Sequence, residues 1–177
     1  MVATKKKLRR LIAVRNSPIH GRGVFALRPI PKGTRIIEYK GKLITDQEAD
    51  RRFGRVHEHS AHTMLFSVDG GLVIDATRGG NSARWINHSC APNCEIEEEG
   101  QRVFIEALRD IRPGEELAYD YNLQIGERHT KKAKREHACF CNARRCRGTM
   151  LGEEEGLAAS FVKLRTIGNA KGAKTKR

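Results

Sequence analysis

Three cysteines within eight residues, Cys139-Phe140-Cys141-Asn142-Ala143-Arg144-Arg145-Cys146, constrain this chain more than any other feature. Two more, Cys90 and Cys94, complete an odd total of five. An odd count does not build a disulfide framework, and the start of the chain has no continuous apolar stretch and no small-residue cleavage site. Clustered thiols in that setting point to a metal. Zinc takes four thiolate or imidazole ligands in a tetrahedron, so a fourth must come from elsewhere. Cys90, Cys94, His88 and His137 are the candidates. Arg144, Arg145 and Arg147 would offset the negative charge of thiolates. The plainer reading, three thiols without metal, leaves their spacing unexplained.

The 177 residues suit one domain with a modest core. The net charge of +13 sits at the ends. Lys5, Lys6, Lys7, Arg9 and Arg10 supply five charges, and Lys163, Arg165, Lys171, Lys174, Lys176 and Arg177 supply six, leaving +2 for the body. Residues 1–7 read as a basic flexible lead and 153–177 as a basic flexible tail. Such ends imply weak contact with nucleic acid or an acidic partner. No run reaches the ~18 apolar residues of a membrane span. The expectation is an intracellular protein without membrane contact, cytoplasmic in a bacterium and nuclear in a eukaryote.

Short apolar runs separated by turn residues dominate the middle. Strands are expected over Leu8–Val14, Val24–Leu27, Thr34–Tyr39 and Lys42–Ile44. Thr45 or Asp46 caps a helix running to Phe53. Asp69-Gly70-Gly71 joins Met64–Val68 to Leu72–Ile74, and Glu98-Glu99-Gly100 joins Cys94–Glu97 to Arg102–Ala107. A helical turn covers Ala83–Ile86, and Leu117–Tyr121 follows the turn at Arg112-Pro113-Gly114-Glu115. The fold class is mainly β, with several small sheets and little helix.

Four blocks run in order: Ser17-Pro18-Ile19-His20-Gly21-Arg22-Gly23, Glu38-Tyr39-Lys40-Gly41, Arg84-Trp85-Ile86-Asn87-His88-Ser89-Cys90-Ala91-Pro92-Asn93-Cys94, and Gly114-Glu115-Glu116-Leu117-Ala118-Tyr119-Asp120-Tyr121. With the cysteine cluster they resemble a SET domain followed by a post-SET zinc segment, closest to the trithorax-like branch. The resemblance implies a SET fold over 8–125 with a knot-like C-terminal segment, and a zinc segment over 126–152. It implies a protein lysine N-methyltransferase that uses S-adenosylmethionine. The ligand set becomes Cys90, Cys139, Cys141 and Cys146, with Cys94 a buried thiol. The pre-SET cysteine cluster of another branch is absent.

The resemblance places the cofactor against His20, Gly21, Arg22 and Gly23, against Asn87 and His88, and near Met150 or Leu151. Met64 stands where many relatives have Tyr; its thioether packs but cannot donate a hydrogen bond. Tyr121 matches the catalytic phenol, and Tyr119 the position that influences how many methyls are added, so mainly monomethylation is expected. Tyr39 is expected to line the lysine channel. Arg84 and Asp75 are read as fold-holding residues. A lysine-rich tail of a histone, or of a nucleoid or ribosomal protein, is the expected substrate. The competing function is a non-catalytic zinc module that binds nucleic acid or chromatin. It gives no reason for Tyr119, Tyr121, Asn87 and His88 to stand together with the cysteines.

Overall fold

The computed structural model describes residues 10–53, 64–125 and 128–153, together with the backbone of 163–164. Three small sheets form the body. The first has the order β1 (Ile12–Asn16), β2 (Arg22–Ala26), β10 (Glu116–Tyr119) and β7 (Asn87–His88). Its last pair is parallel; the others are antiparallel. The second is antiparallel, with the order β11 (Lys163–Leu164), β5 (Leu65–Val68), β6 (Leu72–Asp75) and β4 (Lys42–Thr45). The third, also antiparallel, has the order β3 (Arg35–Tyr39), β9 (Arg102–Ala107) and β8 (Cys94–Glu99). The mainly β architecture of small sheets matches the expectation from sequence.

Local chemistry explains the connections. The β8–β9 loop is two residues long and opens with Gly100 at φ +62°, the backbone a twisted hairpin of this length requires. Helix α1 (Asp46–Phe53) starts where Thr45 Oγ1 accepts the Glu48 N–H at 3.2 Å. It closes with an ion pair between Glu48 and Arg52. A 3-10 turn at Ser82–Trp85 is capped by Asn81, whose Oδ1 accepts the Ala83 N–H. That amide also donates to the Glu38 carbonyl at 2.7 Å, tying the turn to β3.

Apolar residues of all three sheets meet in one core, including Val24, Phe66, Ile74, Val103, Ile105 and Leu117. Arg84 and Asp75 brace it: Arg84 donates to the Ala76 carbonyl at 3.1 Å, and Asp75 accepts the Thr77 N–H at 2.9 Å. Helix α2 (Lys131–Glu136) precedes the cysteine cluster. The fold departs from expectation in several places, the unexpected α2 among them. β1 begins at Ile12, residues 1–9 lying outside the described ones. β10 stops at Tyr119 rather than Tyr121, because the Tyr121 N–H leaves the ladder for the His88 Nδ1 and Asn122 turns to φ +43°. Within the stretch expected to be a flexible tail, Lys163–Leu164 forms β11 on the edge of β5.

Candidate active site and metal centre

The block containing Asn87 is drawn to the centre of the molecule by side-chain amides. Asn93 is buried, and its Oδ1 accepts the Ala118 N–H while its Nδ2 donates to the Glu116 carbonyl, both at 2.8 Å. The side chain thus imitates a strand beside β10. Asn87 Nδ2 faces Glu116 Oε1 at 2.7 Å, the Arg22 carbonyl at 3.0 Å, Ser17 Oγ at 3.1 Å and the His20 carbonyl at 3.3 Å. One amide therefore pins the His20–Gly23 loop to β10. Gly21 is left-handed at φ +48°. A Cβ on Gly23 would lie 2.1 Å from Glu116 Oε1, so a side chain here would push that carboxylate off its Asn87 and Ser17 partners. Arg22 lays its guanidinium over Trp85 at 5.1 Å.

His88 is buried and joins two regions. Its Nδ1 accepts the Tyr121 N–H at 3.1 Å, which places the ring proton on Nε2, 3.3 Å from Cys90 Sγ. Burial pulls its pKa down to about 4, against the opposing pull of the Asp120 carboxylate, so the imidazole is neutral at physiological pH. With both nitrogens engaged, only the backbone of His88 is left to meet a ligand.

A cavity of about 550 Å³ is bounded by Phe66, by Tyr119 to Asn122 and by Cys94 to Glu98 on β8. Tyr121 Oη donates to the Ile86 carbonyl at 2.7 Å. That bond fixes the hydroxyl proton and leaves the oxygen lone pairs for an incoming donor. Tyr119 is buried, its ring 4.9 Å from that of Tyr121, and its hydroxyl makes no hydrogen bond among the described residues. Burial raises the pKa of both phenols well above ten. Tyr39 does not line this cavity. Its inward position on β3 puts it behind Phe66, the two rings 4.5 Å apart and edge-on.

The four sulfurs of Cys90, Cys139, Cys141 and Cys146 lie within 4.8 Å of one another. Cys90 Sγ is 3.7 Å from Cys139 Sγ and 3.9 Å from Cys146 Sγ. A tetrahedron with zinc–sulfur bonds of about 2.3 Å needs sulfurs about 3.8 Å apart. Each sulfur also accepts one backbone N–H: Cys90 from Arg147, Cys139 from Cys141, Cys141 from Cys90 and Cys146 from Gly148, all at 3.3–3.4 Å. Four thiolates so served fit a zinc ion. Cys94 stands apart; burial pushes its thiol up to about 12, and its Sγ faces Asn93 Oδ1.

The sequence did not disclose how the cysteine segment is clamped to the body. Arg147 spans Asp120 with both guanidinium nitrogens, at 2.5 and 2.7 Å, so its charge serves the clamp and its backbone serves Cys90. Burial pushes Asp120 up, but the Arg147 guanidinium prevails and holds its pKa below the usual carboxylate range. The signal available was an acid between two tyrosines with a basic cysteine cluster downstream. A parallel bridge between Leu123 and Leu151 completes the attachment. Leu151 is 1% exposed and fills core, whereas Met150 is half-buried and keeps some surface. Met64 packs against the core, its carbonyl accepting the Ala76 N–H.

Comparison with known proteins agrees with this geometry. The family described as SET domain matches residues 21–122. The chain is 42% identical over 147 residues, 81% of its length, to histone-lysine N-methyltransferase 2B of Homo sapiens. It is 43% identical over 137 residues, 75% of its length, to a Schizosaccharomyces pombe histone-lysine N-methyltransferase described as H3 lysine-4 specific. To the histone-lysine N-methyltransferase ash1 of Drosophila melanogaster it is 38% identical over 139 residues, 76% of its length. These stretches cover only 5%, 14% and 6% of the respective relatives.

Proposed function

Because the chain belongs to the SET-domain family, we propose that it transfers a methyl group from S-adenosylmethionine to a lysine amine of a histone or histone-like protein. One observation carries the reading. The Tyr121 phenol, fixed by the Ile86 carbonyl, stands on the wall of a cavity at the end of β10, the strand that pairs with Asn87 and His88, and Asn87 in turn holds the His20–Gly23 loop.

The residues around that loop suit a ligand carrying an amino acid and a nucleoside. They offer the Gly21–Arg22 backbone, the Arg22 cation, the Glu116 carboxylate and the backbone of Asn87 and His88, with Met150 at the edge. S-adenosylmethionine would supply a methyl carbon activated by a sulfonium: as the amine nitrogen bonds that carbon, the carbon–sulfur bond breaks and its electron pair stays on sulfur, which leaves as a neutral thioether. The cavity acts on the lysine. A free amine has pKa about 10.4 and is mostly protonated at neutral pH. The rings of Phe66, Tyr119 and Tyr121 penalise the ammonium by desolvation, and a nearby positive charge adds repulsion in the same direction. The proton leaves to water, so no strong base is needed. Tyr121 Oη then accepts from the amine N–H and aims its lone pair. Tyr39 supports Phe66 from behind.

Tyr119, with its hydroxyl unpartnered among the described residues, holds a water where a second methyl would sit, and the product is mainly monomethyllysine. Cys90, Cys139, Cys141 and Cys146 would hold the zinc, which would fasten the cysteine segment to the loop after His88. Incubating the full chain with methyl-labelled S-adenosylmethionine and histones, followed by mass spectrometry, tests this. The expected product is lysine carrying one label, and Tyr119→Phe shifts it toward two and three. Histones left unlabelled overturn the activity. A trimethylated product at low conversion overturns the role of Tyr119.

A further inference from the structure

The cysteine segment carries a charge that its thiols do not use. Between Arg128 and Arg147 stand eight cations and one carboxylate, Glu136. Lys132 pairs with that carboxylate, and Arg147 pairs with Asp120. Arg128, Lys131, Lys134, Arg135, Arg144 and Arg145 are exposed, and none of them pairs with a carboxylate among the described residues. Four thiolates around a dication would return only two negative charges, so the excess stays strongly positive.

The backbone sets these cations on one short loop and on the helix that leads into it. In α2, Lys131, Lys134 and Arg135 follow the i, i+3, i+4 spacing of a single helix face, while Ala133 packs inward. The two ends of the loop pair with each other. Cys139 N–H donates to the Gly148 carbonyl at 3.2 Å, and Met150 N–H donates to the His137 carbonyl at 2.8 Å. Within the loop, Cys146 N–H donates to the Ala143 carbonyl at 3.0 Å, which sets Arg144 and Arg145 at the two central positions of a turn. Phe140 stands on the same loop and is 68% exposed, more than any other large apolar side chain among the described residues.

Such a face repels a basic, lysine-bearing peptide and attracts a polyanion. A membrane surface calls for an apolar stripe beside the cations, and α2 has only Ala133, which is buried. A nucleic acid fits both features. Guanidinium forks and ammonium groups take phosphates, and an exposed aromatic ring takes the face of a base. A duplex keeps its bases stacked on one another, whereas a single strand can lay one on the ring. We propose that the face formed by α2 and the cysteine loop binds single-stranded nucleic acid, with phosphates on Lys131, Lys134, Arg135, Arg144 and Arg145 and an unpaired base stacked on Phe140. This function goes beyond methyl transfer and does not depend on it.

The test titrates the full chain, basic ends included, into a fluorescein-labelled thymidine oligonucleotide of about 20 nucleotides and into a duplex of the same length, followed by anisotropy without turnover. Arg144→Gln with Arg145→Gln is expected to weaken the single strand roughly fivefold or more, and to shrink the slope of log K against log salt by about 1.4, the loss of two phosphate contacts. Phe140→Ala is expected to weaken the single strand roughly fivefold or more and to leave the duplex within about twofold. Equal zinc content and melting temperature establish that the segment is intact in each variant. Where Phe140→Ala loses zinc, Phe140→Leu keeps the bulk without the aromatic face and gives the same loss. Unchanged single-strand affinity in either variant leaves the contact to the basic ends and overturns the proposal. Equal weakening of single strand and duplex by Phe140→Ala overturns the stacked base. Tighter binding of the parent chain to phosphatidylserine vesicles than to the oligonucleotide overturns nucleic acid as the partner.

Discussion

The body and the cysteine segment are held together by different forces. In the body, Val24, Val103, Ile105 and Leu117 are fully buried, and three sheets share one apolar core. In the segment, Phe140 is 68% exposed, Cys146 and its neighbours are exposed, and helix α2 buries Ala133 alone. The segment has almost no core of its own. Among the described residues, the four clustered thiols, the Arg147–Asp120 pair, the Leu123–Leu151 bridge and the burial of Leu151 and Ala133 in the body's core fasten it. The hydrophobic effect thus builds the body, including the wall that holds the phenols, while the cysteine segment presents four thiols placed to hold a metal.

Metal removal breaks the comparison most sharply. A structural zinc contributes on the order of 10 kcal/mol to folding of the unit that binds it. Chelation, or Cys141→Ala, is expected to abolish methyl transfer and expose amides of 138–151 to hydrogen exchange, while β2 and β9 stay protected. Simultaneous loss of protection in both regions would show that they fold as one. A smaller effect comes from the clamp. Asp120→Ala removes a two-pronged pair that is about one-third exposed, and should cost about 1 kcal/mol after solvent screening, with loosening confined to the cysteine segment. Smaller still is Cys94→Ala in the body, which loses a buried sulfur for about 1 kcal/mol or less and leaves zinc stoichiometry unchanged. Loss of zinc in that variant would move Cys94 into the ligand set.

The phenols sharpen the comparison without mutation. Burial raises Tyr119 and Tyr121 above their ordinary pKa, so both keep their protons throughout an ordinary assay range. The rate is expected to climb with pH as the substrate amine loses its proton, with no falling limb near pH 10. Such a limb would mean that the Tyr121 phenol is solvated.

The sequence disclosed what depends on neighbours in the chain. Asp69-Gly70-Gly71 and Gly100 mark their hairpins, Thr45 caps α1, and the cysteine spacing points to a metal. Tyr119 and Tyr121 could be located through their flanking block. What stayed hidden was made by residues far apart. Nothing local tells that His88 would take the Tyr121 N–H, that Arg147 would grip Asp120, or that β11 would reach β5. The helix α2 was missed because Lys131–Glu136 has no apolar stripe; the Thr130 cap, accepting the Ala133 N–H at 3.1 Å, was the one cue. Tyr39 reads as a channel residue from its place before Gly41; the structure buries it on β3 against Phe66, a contact nothing local in the sequence marks.

The most direct test removes one oxygen. Tyr121→Phe keeps the ring against His88 and Tyr119 and loses only the hydroxyl held by the Ile86 carbonyl. With zinc content and S-adenosylmethionine binding unchanged and melting nearly so, transfer to a histone lysine is expected to fall by at least ~100-fold, through kcat. A variant that transfers methyl at the parent rate would contradict the placement of the reaction at this phenol.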